Sequence, residues 1–316
     1  MTSVGPGARI VVTGASGFVG QALVEHLATS GYQVVGVSKD TVPPVRIRDL
    51  LTSYHCADLT LGWPEIGPYD GLVHLAGLAA VGPSFRNPQL YLNVNGSMVT
   101  HMFESAVRRG WKGRAIVVSS GAVYESTSYA NKLTEASPVA ASSPYVVSKL
   151  LLEKQVEYYC RLGLDIVITR PFNHIGPGQR TGFIVPDLVT KMINRRSDNV
   201  ITAGNLNTAR DYTDVRDVVS AYALLLECSQ LSHNLYNVCT GIPVRGWDIL
   251  EKICCALDLQ IPTVGSASDR TLDPLIICGD AEALHSATGW RPEIPLSRSI
   301  GDSLSEMVGM PNRLAE

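Results

Sequence analysis

A short β-branched run, Arg9-Ile10-Val11-Val12-Thr13, breaks into Gly14-Ala15-Ser16-Gly17-Phe18-Val19-Gly20 and then into a helical pattern through Leu23, Val24 and Leu27 that stops at Gly31. No other feature constrains the fold as tightly. Glycines at positions 14, 17 and 20, between a strand and a helix, permit a tight turn and let phosphates approach the backbone. They also let the helix pack closely on the sheet. The helix N-terminus, with its unpaired amides, then faces the anion.

The chain continues in the same alternation. Gln33-Val34-Val35-Gly36-Val37, Gly71-Leu72-Val73-His74-Leu75, Ala115-Ile116-Val117-Val118 and Asp165-Ile166-Val167-Ile168 read as strands. Helical stretches lie between them, including Met98 to Arg109 and Tyr145 to Arg161. Such alternation predicts an α/β fold with a doubly wound parallel sheet of Rossmann type, binding its ligand beyond the carboxyl ends of the strands. After Arg170 the pattern loosens and Pro, Gly and Asn become frequent. We expect a dinucleotide-binding domain over 1–170, with 208–241 returning to it. A smaller interleaved substrate-binding lobe is expected over 171–207 and 242–316.

With 316 residues and 45% apolar content the chain can bury a large core, and a net charge of −3 gives no reason to expect nucleic acid. The first eight residues leave no room for a signal peptide, and the longest apolar runs are about half a membrane span. The expectation is a soluble cytoplasmic protein with no membrane partner. Seven cysteines without a C-x-x-C pair read as small buried hydrophobes in a reducing compartment, with no metal site.

The residue after the second strand usually reads the adenosine ribose: an acid there favours NAD, and a base tolerates a 2′-phosphate. Here Ser38 holds that place, followed by Lys39 and then Asp40, which favours NADP(H) and leaves NAD(H) possible. Asp58, next to Leu59, is placed either to meet an adenine edge or to serve as a solvated turn residue.

Ser143-Pro144-Tyr145-Val146-Val147-Ser148-Lys149 sets a phenol and an ammonium four residues apart, on one face of a helix. A fixed positive charge favours the phenolate and draws a pKa of ~10 toward the working range. On spacing alone the pair also arises by chance.

Four segments together change that. The glycine turn, His74-Leu75-Ala76-Gly77, Asn93-Val94-Asn95-Gly96-Ser97 and Tyr145-x-x-x-Lys149 resemble the extended short-chain dehydrogenase/reductase family that acts on nucleotide sugars, over nearly the whole chain. The resemblance implies cofactor contacts from Gly14, Ser16, Gly17, Phe18, Val19, Gly20, Ser38, Lys39, Asp58, Leu59, Leu75, Ala76, Gly77, Asn93, Tyr145 and Lys149. It places Ser120 as the hydroxyl that polarises the reacting sugar oxygen. It further implies substrate contacts from Ser120, Asn173 and Phe183, with Arg210 and Arg270 as candidate diphosphate grips, guanidinium being suited to bidentate phosphate binding. Within the family the combination most resembles reductases of GDP-4-keto-6-deoxy-D-mannose.

Missing residues narrow the chemistry. A 4,6-dehydratase resembling known ones would carry acids immediately after Ser120, where this chain has Gly121 and Ala122. Synthases that epimerise before reducing carry a Cys at the position of Ala122 and a His at that of Phe183; neither residue here moves a proton. His174 reads as a turn histidine. The expectation is NAD(P)H-dependent reduction of the C4 keto group of a nucleotide-linked 4-keto-6-deoxyhexose, GDP-linked in preference. A 4-epimerase retaining its NAD is the alternative, and a cofactor-sensing regulatory protein a remote one. A homodimer through the helices of 98–109 and 145–161 follows from the same resemblance.

Overall fold

The structure, a computed structural model, describes residues 4–125, 132–195, 199–266 and 275–309. The first strand, β1 (Arg9–Thr13), turns through the glycines into α1 (Phe18–Thr29). Gly31, just past the end of α1, takes the left-handed backbone. Then follow β2 (Gln33–Ser38), the short α2 (Val45–Arg48), β3 (Ser53–Cys56), β4 (Gly71–His74) and the short α3 (Val81–Ser84). The long α4 (Pro88–Arg108) leads to β5 (Arg114–Val118), a 3₁₀ turn at Gly121–Val123, α5 (Pro144–Arg161) and β6 (Asp165–Pro171).

Past β6 come β7 (Asn173–Ile175), α6 (Ile184–Ile193), β8 (Val200–Ala203), β9 (Ala209–Asp214), α7 (Val215–Glu227) and β10 (Leu235–Val238). The chain closes with β11 (Pro243–Arg245), α8 (Gly246–Leu257), β12 (Thr263–Ser266), β13 (Ile276–Ile277), α9 (Glu282–Thr288) and α10 (Leu296–Val308).

Seven strands form one parallel sheet in the order β10-β6-β5-β4-β1-β2-β3. Sequence direction reverses across β1 and β4, which opens a crevice at their carboxyl ends. Ile10, Val11 and Val12 are fully buried, because helices cover both faces of the sheet. Each such side chain contributes about 1.5–3 kcal/mol of transfer free energy. On one face α1 and α7 pack over Ile10, Val12 and Val73; on the other α4 and α5 pack over Val11, Leu72 and Val117. This is the doubly wound α/β architecture expected from the alternation.

The second half is divided more finely than a two-segment lobe. Within 208–241, β9 lies in a small sheet, paired antiparallel to β11 and parallel to β13 and β7, whereas α7 and β10 return to the main core. The small lobe has its own apolar centre, in which Val185, Leu188, Ile249, Ile253 and Ile300 meet. Leu284 of α9 and Trp290 instead pack into the main core. Trp290 Nε1 donates to Asp217 O and Ser220 Oγ, both at 3.0 Å, and Ile294 N to Asp217 Oδ2. The stretch around 282–294 thus belongs physically to the sheet, because the amphipathic α9 finds its partner on α7 and β10.

Candidate active site

The glycine turn has the geometry the sequence demands. Gly14 adopts a φ of +68°, and a Cβ there would stand 2.8 Å from Ala76 N; a Cβ on Gly20 would stand 2.1 Å from Gly14 O. Gly17 caps α1 with no side-chain hydrogen bond, and no acidic residue occupies the first turn. The first amides of α1 therefore lack a capping acceptor, and the turn fits a pyrophosphate. Thr13 Oγ1 accepts from Leu75 N and Ala76 N at 3.2 Å each, locking the ends of β1 and β4 together. With both acceptor directions in use, its proton goes to His74 Nδ1, 2.8 Å away. Burial draws the imidazole down to about 3, with the Lys149 charge acting in the same sense.

At the end of β2, Ser38 is buried and its Oγ accepts from Ser16 N at 3.1 Å. Its hydroxyl thus buckles the glycine turn to β2. Lys39 Nζ lies 2.9 Å from Asp58 Oδ2. Hydrogen bonds from Thr60 and Lys39 hold the Asp58 carboxyl down to about 2. The exposed Lys39 is the cation at this edge and fits a 2′-phosphate. The Leu59 side chain is buried in the core, and its carbonyl pairs with His101 Nδ1, so the side chain does not line the crevice.

Tyr145 lies in the first turn of α5, whose N-cap, Ser143, accepts from Val146 N through its side chain. Its ring meets Tyr91 edge-on at 6.4 Å. Lys149 Nζ donates to Val118 O at 2.7 Å and stands 6.0 Å from the Tyr145 ring centroid. Burial raises the Tyr145 phenol, and a hydrogen bond with the Ser120 side chain opposes the rise. Burial also brings the Lys149 ammonium down to about 8, with Glu153 opposing. The downward pull expected from Lys149 does not set the phenol, because the ammonium is turned toward Val118 O and desolvation dominates. Ser120 begins the 3₁₀ turn, and its Oγ accepts from Ala122 N at 3.2 Å. The turn thus delivers Ser120 from the end of β5 to the start of α5.

Other positions are more scattered. Asn93 is exposed and accepts from Gln89 Nε2, whereas Asn95 is buried beside Gly77. The Asn95 Oδ1 accepts from Leu78 N at 2.9 Å, and its Nδ2 donates to Ser148 Oγ at 2.9 Å. Asn95 thereby ties the loop after β4 to α5, a role the sequence reading missed. Helix phase was the available signal, since Asn95 lies four residues before the buried Val99. On the lobe side, Asn173 pairs with Tyr212 in the small sheet, and Arg210 lies two residues earlier on β9. The two-residue strand period puts Asn173 and Arg210 on one face. Arg210 Nη1 also donates to Ala209 O. Phe183 stands exposed at the start of α6; Arg270 lies outside the described residues. His174 stacks on Phe18 at 6.0 Å and 18°, joining the lobe to the glycine turn.

Among the described residues no group of three or more His, Cys, Asp or Glu side chains is placed to hold a metal ion. No helix of the described residues is long and apolar enough to cross a membrane. A cavity of about 660 Å³ lies at the amino ends of the strands, lined by Tyr69, Trp111, Arg114 and Asp165 among others. Arg114 there is already paired with Asp165, and none of the groups above reaches it.

The sequence profile of the NAD dependent epimerase/dehydratase family matches residues 10–239. The GDP-6-deoxy-D-mannose reductase of Pseudomonas aeruginosa is 32% identical, over 94% of this chain and 96% of that protein. The GDP-6-deoxy-D-talose 4-dehydrogenase of Aggregatibacter actinomycetemcomitans is 28% identical, over 78% and 79%. The solved structure of RMD from Pseudomonas aeruginosa complexed with NADPH superposes with a TM-score of 0.81 at 30% identity, covering 95% of this chain and 98% of that one.

Proposed function

The chain belongs to the NAD dependent epimerase/dehydratase family, and from that premise we propose that it uses NADPH to reduce the C4 keto group of a nucleotide-linked 4-keto-6-deoxyhexose. The GDP-4-keto-6-deoxy-D-mannose type is the substrate we assign, in keeping with the names of the two GDP-sugar relatives. The observation that carries the reading is the meeting of Ser120, Tyr145 and Lys149 just past the carboxyl end of β5, where the two positions after Ser120, Gly121 and Ala122, bear no proton-transfer group.

When bound, the nicotinamide supplies the hydride to the sugar C4. Tyr145 donates its proton to the C4 oxygen as that oxygen gains charge, which completes the alcohol and leaves a phenolate. Ser120 donates to the same oxygen and polarises the carbonyl beforehand. Lys149 supplies a positive charge one helical turn from the phenolate as it forms and is placed to hold the nicotinamide ribose. The uncapped amides of α1 hold the pyrophosphate, and Lys39 the 2′-phosphate. Arg210 and Asn173 receive the sugar nucleotide from the lobe side. Val147, Leu151 and Tyr158 form an exposed stripe on α5, which we assign to a homodimer contact.

The test is NADPH consumption with GDP-4-keto-6-deoxymannose, followed by product stereochemistry. Stoichiometric oxidation of NADPH supports the reading. Turnover confined to dTDP-linked sugars would overturn the GDP assignment. Tightly bound NAD with no net NADPH consumption would replace the reductase by an epimerase.

A further inference from the structure

Three consecutive residues at the end of β5 each engage one rung of the catalytic helix. The Ser120 side chain acts on the Tyr145 phenol and opposes the rise that burial imposes, Val118 O accepts from Lys149 Nζ at 2.7 Å, and Ser119 Oγ donates to Glu153 Oε1 at 2.6 Å. Tyr145, Lys149 and Glu153 are spaced four apart, so they rise along one face of α5. The third rung has no part in the chemistry described above.

We infer that Glu153 is a positioning residue for this reaction: it fixes the register of α5 on the ends of β5 and β6 and supplies the counter-charge to Lys149. The inference rests on the assignment of Lys149 to the cofactor.

Glu153 is only 6% exposed. Burying a carboxylate costs several kcal/mol unless it is fully paired, and a well-packed apolar group often serves stability as well or better. Pairing here is extensive. Arg170 of β6 donates from Nε to Oε1 at 2.9 Å and from Nη2 to Oε2 at 2.7 Å, beside the Ser119 bond. The Arg170 guanidinium in turn lies 4.8 Å from the centroid of the Tyr124 ring, whose hydroxyl donates to Asn237 on β10. Ser119 N donates to Thr169 O. The carboxylate therefore gathers β5, β6 and α5 at one point, directly beside Ser120.

The electrostatic surroundings single out the same group. Around Lys149, His74 of β4 stays neutral at working pH because burial holds it near 3, and the Tyr145 phenol is raised. Tyr91 of α4 is raised by burial as well, and Tyr124 beneath Arg170 is pushed up to about 12. Glu153 is the negative charge that opposes desolvation of the Lys149 ammonium, and Arg170 faces Glu153 rather than Lys149.

The test reads NADPH binding by fluorescence from pH 6 to 10 on the full-length protein, without sugar substrate. Wild-type affinity falls as Lys149 loses its proton, with a midpoint near its pKa of about 8. In Glu153→Gln the midpoint moves down by about one pH unit, the effect of one charge a helical turn away in a partly solvated interior. The double variant Glu153→Met/Arg170→Met leaves no unpaired buried charge and guards against loss of the fold; its midpoint also moves down. Ser119→Ala keeps the carboxylate and retains the wild-type midpoint. A purely structural Glu153 would weaken binding or thermal stability in both Glu153 variants with the midpoint unmoved, and that result overturns the inference. If wild type binds NADPH with this midpoint yet reduces no keto sugar, the proposed function falls and the positioning role stands.

Discussion

Phe172 closes the space above Gly121: a Cβ on that glycine would stand 2.9 Å from Cδ2 of the ring, with two more ring atoms at 3.0 Å. The ring cannot swing aside freely, because it is buried and stacked on Tyr124 at 6.0 Å, itself covered by Arg170. The first of the two positions where a dehydratase would carry an acid is thus sterically shut as well as chemically silent. Gly121→Ala should destabilise the protein by about 1–3 kcal/mol, the usual cost of overpacking, read as a fall in Tm. Adding Phe172→Leu should restore part of the loss; a Gly121→Ala protein of unchanged Tm would contradict the packing argument.

Tyr145→Phe removes the proton donor and preserves the ring that packs on Tyr91. The variant should lose at least ~10²-fold in kcat, the lower range for a general acid, while NADPH affinity changes by less than about threefold, under 1 kcal/mol. Rapid mixing with a 4-keto sugar nucleotide and a separate binding titration make the comparison. Undiminished turnover would remove Tyr145 from the mechanism.

Much of this site could be read from the sequence because its elements are local. The glycine turn and the strands at 9–13, 33–38, 71–74, 114–118 and 165–171 are buried apolar runs bounded by turn residues. Ser53–Cys56, an edge strand of Ser-Tyr-His-Cys, carries no such pattern and escaped notice. Glu153 was invisible for another reason: a charged residue on a helix reads as solvent-facing until the strand that pairs with it is placed. The segment 282–294 was assigned to the wrong body because an amphipathic helix does not announce which core it covers. Asn95 and Asn93 differ only in helix phase.

The Lys39 ammonium is already engaged by Asp58, which would compete with the 2′-phosphate proposed for it. Their ion pair is short, 2.9 Å, with side chains 66% and 31% exposed, so the Asp58 carboxylate partly cancels the cation that would meet a 2′-phosphate. Asp58→Asn should raise the preference for NADPH over NADH by about two- to fivefold, the size of an exposed charge contact of ~0.5–1 kcal/mol. Any lost contact to adenine affects both cofactors alike and leaves the ratio of their kcat/KM values untouched. Lys39→Ala should lower the same ratio. Equal ratios in all three proteins would show that the cofactor is discriminated elsewhere.

His74 links stability to acid. Its pKa is drawn down from the ordinary 6.5 to about 3 by burial, so between those values the unfolded chain binds a proton that the native protein excludes. Stability is therefore intact above pH 6.5 and falls as the pH drops toward 3, by up to ~1.36 kcal/mol per unit for this one group. His26 and His174, also lowered by burial, add to the slope in the same direction. His74→Asn keeps an acceptor for the Thr13 hydroxyl but cannot titrate. Urea midpoints from pH 6.5 to 4.5 should decline less steeply in the variant than in wild type, whatever its stability at pH 7. Parallel slopes would mean that the imidazole takes up its proton in the native state, and that Thr13 and His74 do not lock β1 to β4 in the way their 2.8 Å contact implies.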